Sequence, residues 1–251
     1  MVYGYPDYQF FREVNNYTYY ILDHKRADVN GDNLVEDVYL VGNKPDGPGG
    51  IFAESITLVI CNPFTNYCKS FPLKFDAGYN PSLFLGDFNG DKIEDIFISI
   101  DSGGSGGYVF YYIYSFKDNI LSELFDFEKY NSAYVYEVAY LDDYKVKITN
   151  LTINKYAIID IGYKDEEYLS FMYDENGNLI KDVKGQVLAL GGLYPIDIQK
   201  DGVYDLQAVQ RIIGRANADT LGYVQNTLKW NDDDFYLLMS KVSVLMRKEN
   251  S

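Results

Sequence analysis

Oxygen-bearing side chains stand at positions 1, 3, 5 and 9 of a nine-residue run that occurs three times. The first run places Asp28, Asn30, Asp32 and Glu36, the second Asp87, Asn89, Asp91 and Asp95, and the third Asp197, Gln199, Asp201 and Asp205. Loops with such spacing can wrap a hard cation, because Ca²⁺ takes about six to eight oxygens at roughly 2.3–2.6 Å. The competing reading is a set of solvated Asx turns, which Asp and Asn form unaided. Recurrence at one fixed spacing favours the cation. So does crowding, since carboxylates this close repel one another unless positive charge sits among them.

The residues after each run separate the loop types. An EF-hand needs a bidentate acid at position 12 and flanking helices. Position 12 is Tyr39, Ile98 and Ala208, so that class is excluded, and the dockerin loop with it. Each run instead leads into an apolar, strand-like segment. An acid at position 9 running straight into a strand resembles the FG-GAP, or VCBS-type, repeat of integrin-like β-propellers. The resemblance covers residues 20–115 and 190–235 directly. It implies that the side chains named above ligate Ca²⁺, joined by the backbone carbonyls of Leu34, Ile93 and Val203, for two to three bound ions. Glu36 departs from the usual Asp, Asn33 and Lys92 from the usual Gly, and Gln199 makes the third loop the weakest.

Other arrangements lead less far. Asp174, Asn176, Asn178 and Asp182 obey the spacing, but Glu175-Asn-Gly-Asn178 reads better as a hairpin turn than as a further ion site. Asp101-Ser-Gly-Gly104 is similar to a serine-protease nucleophile loop, yet the chain has one histidine, His24, in an unsuitable setting. Gly103–Gly107 has no following Lys-Ser/Thr and is not a P-loop. A carboxylate pair for glycoside hydrolysis stays open, because separation in space is invisible in a sequence. Trp230 reads as a packing residue before a sugar platform. No catalytic residue is assigned.

The elements that must hold these loops are strands. Runs begin at 28, 87 and 197, and an acidic turn, Asp142-Asp143-Tyr144, stands where a degenerate copy belongs. The chain thus reads as repeats of roughly 55 residues. Strands are expected at 38–41, 55–60, 67–73, 82–85, 96–100 and 108–116. The last is apolar on both faces and should be covered on both sides. In Tyr144-Lys-Val-Lys-Ile148, lysine alternates with apolar residues, as on a half-exposed outer strand. No helix is expected, and 237–246 is ambiguous between strand and short helix. The expected fold is all-β and β-propeller-like, with about five blades of antiparallel strands. Four blades or an open β-sandwich array are the alternatives. No linker or composition shift divides the chain, so one domain over residues 1–251 is expected.

The bulk composition agrees. Tyr (26) and Phe (15) favour strands. A net charge of −15 argues against nucleic acid and anionic membranes as partners. No apolar stretch is long enough to insert in a membrane, and Met1–Asp7 has no secretory-signal character. The compartment stays unassigned, with association at the cell surface or outside the cell left open. Cys61 and Cys68 flank a hairpin tip, where they either pair in an oxidising compartment or remain thiols. The function expected is a calcium-binding, non-enzymatic structural or interaction scaffold with a protein or glycan partner. A lectin-like module is the alternative, and a glycoside-active enzyme stands behind it.

Overall fold

The computed structural model describes residues 19–65, 67–244 and 246. Met1–Asp7 and the last residues of the chain lie outside them. The fold is all-β and antiparallel, and its chain gathers into two compact units, each with its own sheet.

The first unit holds β1 (Tyr19–Ala27), β2 (Glu36–Asn43), β3 (Phe52–Asn62), β4 (Tyr67–Pro72), β5 (Gly78–Gly86), β6 (Asp95–Asp101), β7 (Val109–Ser115) and β8 (Ser122–Asp126). It is built from two up-and-down meanders, β1 to β4 and β5 to β8. A short ladder joins them, in which Phe52 and Ala53 of β3 pair with Tyr79 and Gly78 of β5. Val38, Leu40, Ile56, Leu58, Ile96, Ile98 and Ile113 form its buried interior, none more than 2% exposed. β7 is buried or half-buried on both faces, as its double apolar pattern requires. Cys61 and Cys68 oppose each other across β3 and β4 and form a disulfide.

The second unit holds α1 (Phe127–Ala133), β9 (Tyr136–Leu141), β10 (Lys145–Asn150), β11 (Lys155–Asp160), α2 (Glu166–Ser170), β12 (Lys184–Ile196), β13 (Asp205–Ile213), β14 (Thr220–Trp230) and β15 (Phe235–Ser243). Again two meanders, β9 to β11 and β12 to β15, are joined by a two-residue ladder between β9 and β12. Val138, Tyr140, Val146, Ile148, Ile161, Met172 and Val224 pack in its core.

Two expectations need correction, and one ambiguity resolves. The alternation at 144–148 does mark a half-buried strand, but β10 lies between β9 and β11 and is not an outer strand. Alternation reports an exposed face and is silent about edges. Two short helices exist where none was expected. Both start on aspartate caps, Asp126 accepting from the amides of Glu128 and Lys129, and Asp165 from that of Tyr168. Caps satisfy orphan amides that periodicity alone does not reveal. The 237–246 ambiguity resolves as strand through Ser243.

Candidate metal loops

Each nine-residue run connects the first and second strands of a meander, and each is closed by the same register. The residue before position 1 pairs with the residue at position 9: Ala27 with Glu36, Gly86 with Asp95, Ile196 with Asp205. The backbone repeats as well. Positions 4 and 6 take positive φ in all three, at Gly31 and Asn33, Gly90 and Lys92, and Lys200 and Gly202. Lys92, at φ 68°, thus accepts a conformation that costs a residue with a Cβ about 1–2 kcal/mol. The departure from glycine there changes the residue and leaves the turn intact.

In the first loop Asp28 accepts the amides of Gly31 (2.7 Å) and Asn33 (2.8 Å), Asn30 accepts that of Asp32 (2.9 Å), and Asp32 accepts that of Leu34 (2.8 Å). The second loop repeats this, with Asp87 accepting from Gly90 and Lys92, Asn89 from Asp91, and Asp91 from Ile93. In the third, Asp201 accepts from Val203 at 3.1 Å. The amides of Leu34, Ile93 and Val203 are therefore all tied to the acid two residues before them. The loops also touch one another within the first unit, which includes residues 199–203. A Cβ on Gly31 would meet the Cδ1 of Ile93 at 2.6 Å, and Gly90 faces Val203 in the same way at 4.0 Å. Asp87 and Val203 form an isolated parallel bridge.

The position-9 acids are the chemically unusual members. Glu36 is 1% exposed, Asp95 0% and Asp205 6%. Glu36 accepts from the amide of Val29 at 3.3 Å, and Asp95 from that of Phe88 at 2.9 Å. Both donors sit at position 2, with side chains 0% exposed, so the loops are pinned from beneath by Val29 and Phe88. Phe88 stacks on Phe97 at 6.0 Å. Ile198, its counterpart in the third loop, is exposed. Burial pushes the Asp95 carboxyl up to about 7, with the charges of Asp91 and Asp87 adding to the rise and the Phe88 amide opposing it. Glu36 is raised too, by burial first and then by Asp32 and Asp28 against the Val29 amide.

Side-chain nitrogens face these acids. Asn30 donates to Asp32 and Glu36, both at 3.2 Å, and Asn89 to Asp95 at 3.4 Å. Lys117 donates to Asp91 at 3.1 Å. Among the described residues, no three His, Cys, Asp or Glu side chains stand together as a ready metal-holding group. The donor chemistry nonetheless suits a hard cation: every oxygen is a carboxylate, amide or carbonyl.

A protein of Bacillus subtilis (strain 168), the uncharacterized protein YybI, is 42% identical to this chain over 224 residues, 89% of this chain and 85% of the relative. The chain belongs to the YybI family. The YybI C-terminal domain matches residues 134–243, which run from just before β9 to the end of β15. No solved structure matches the chain.

In this YybI-family chain the acidic residues at Asp142 and Asp143 form a tight turn between β9 and β10, with positive φ at Asp143 and Tyr144. A second turn covers it. The Asp143 amide donates to the Gly177 carbonyl (2.9 Å), and Asp142 accepts from the Leu179 amide (2.8 Å). The covering segment is the hairpin expected from Glu175-Asn-Gly-Asn178. Asp174 accepts the amides of Asn176 and Asn178, and Tyr173 bridges Leu179. Asp182 stands outside this turn and lines a separate cleft. His24 is occupied by Asp37 at 2.8 Å and by stacking on Tyr39. Trp230 packs edge-on against Phe235. Sequence reasoning missed the Lys164–Asp219–Tyr168 cluster, because Asp219 lies more than fifty residues from the other two and the three belong to no recognisable motif. Among the described residues no helix is long and apolar enough to cross a membrane.

Proposed function

We propose that this protein is a calcium-binding, non-enzymatic scaffold whose first two loops, and more weakly the third, each take one ion. The observation that carries the reading is the repeated burial of a position-9 acid at the first residue of a strand, in loops of identical register and backbone sign, with two further acids raising Glu36 and Asp95. Burying a carboxylate with like charges is costly unless a cation accompanies it. A bound Ca²⁺ would supply that positive charge, and its binding energy would become folding energy. Asp28, Asn30, Asp32 and Glu36 would hold one ion, Asp87, Asn89, Asp91 and Asp95 a second, and Asp197, Gln199, Asp201 and Asp205 a third, with the carbonyls of Leu34, Ile93 and Val203. Asn30 and Asn89 would turn their amides so that oxygen replaces nitrogen at the centre. The four meanders are then blade-like repeats of FG-GAP type, and their number favours a four-bladed propeller-like array over five. The partner is a protein or glycan held by the surface these repeats present.

Calcium titration of chelator-stripped protein, followed by native mass spectrometry and melting, tests the proposal. Two to three bound ions and a melting point raised by about 5 °C or more, reversed by EGTA, are expected. An unchanged melting curve with no bound calcium refutes it.

A further inference from the structure

Apart from the loops, the second unit contains an open cleft of about 690 Å³, lined by Tyr168, Phe171, Asp182, Lys184, Arg215 and Asp219 among others. A cleft of this size suits a small molecule. Its lining balances two cations against two acids, one of them already paired. Lys184 and Arg215 line it, and Lys181 stands over the ring of Phe171 at 3.5 Å.

The acid at its floor is already engaged. Asp219 accepts from Lys164 at 2.8 Å, from the Tyr168 hydroxyl at 2.5 Å and from the Arg215 amide at 3.1 Å. Burial would raise its carboxyl, but the Lys164 and Tyr168 bonds outweigh burial and hold it below its ordinary value. Tyr168 in turn is linked to the Tyr140 hydroxyl at 2.9 Å. Asp219 is thus consumed within the wall of the cleft.

The Arg215 guanidinium lies over Phe171 at 3.9 Å and over Tyr168 at 5.2 Å, and among the described residues it makes no ion pair. A guanidinium held through its face by aromatic rings keeps its N–H edge free, and that edge matches the paired oxygens of phosphate or carboxylate. Asp182 is the carboxylate left to oppose an anion, and it disfavours a ligand with a second negative group nearby.

We propose that this cleft binds a small ligand through one compact oxyanion, phosphate or carboxylate, held by Arg215 with Lys184 in support. The proposal does not depend on the calcium reading. Calorimetric titration of the full chain with inorganic phosphate and, separately, with glucuronate tests it, against sodium chloride at matched ionic strength. Saturable binding of either anion beyond chloride is expected. The arm that binds identifies the source of the oxyanion, and binding in both arms assigns the shared chemistry. Arg215→Gln should weaken binding at least tenfold, and Lys184→Gln several-fold, with melting unchanged in the absence of anion because both side chains are exposed. Absence of binding in both arms, or wild-type affinity in both variants, overturns the proposal.

Discussion

Replacing Asp95 by Asn should make the ion-free protein more stable and the calcium-loaded protein less so. Asp95 is wholly buried, and that burial raises its carboxyl from 3.8 to about 7. The folded form therefore binds a proton more readily than the unfolded form does. Stability from this group is fullest below about 3.8, falls as pH rises towards 7, and stays low above it. A rise of about three units corresponds to roughly 4 kcal/mol as an upper bound at pH 8. Asn keeps an oxygen for the Phe88 amide, but its NH₂ would face the Asn89 amide, so a gain of about 2–3 kcal/mol is expected. For a unit of this size that is a rise of roughly 5–10 °C in melting temperature in EGTA. The gain should vanish near pH 4, where the wild-type acid is already neutral. In calcium the sign reverses, because the variant lacks the second loop's buried charge. Thermal melts of both proteins at pH 4 and 8, with EGTA and with calcium, give the comparison. A variant that loses stability at pH 8 without calcium would refute the reasoning, since Asp95 would then be satisfied as it stands.

The same chemistry leads to two further outcomes. Calcium affinity of the second loop should fall as pH drops below about 7, approaching tenfold per unit, because binding must expel the Asp95 proton; titrations between pH 5.5 and 8 would show it. The Cys61→Ser, Cys68→Ser double variant opens a crosslink spanning seven positions and should cost about 2–3 kcal/mol, read as a lowered denaturant midpoint that dithiothreitol reproduces in the wild type.

Much of this was legible in the chain because its signals are local. Position 1 to position 9 spacing is a property of one turn, and the closing pairs Ala27–Glu36, Gly86–Asp95 and Ile196–Asp205 follow from it. The strands around Ser55–Ile60 and Ile96–Ile100 announce themselves through β-branched runs. The acidic turn at Asp142 and Asp143 joins β9 to β10, as its turn residues suggest. What stayed hidden depends on distant partners. The hold of Asn178's hairpin on the Asp142 turn joins residues more than thirty positions apart. The neighbours of β10 are set by β9 and β11, which the lysine alternation cannot report. The cleft around Arg215 draws on residues 168 to 219 with no shared motif. The division into two units leaves no mark in composition.

The covered turn at Asp142 differs from its relatives in what holds it. The three acidic loops are held by their own Asp and Asn side chains, whereas this turn is clasped by a distant peptide segment: the Gly177 carbonyl and the Leu179 amide serve it at any ionic composition. The turn between β9 and β10 is therefore a fixed joint, and the three acidic loops are the ones proposed to take an ion. On the calcium reading, depleting the ion should loosen the three acidic loops and leave the turn between β9 and β10 unchanged.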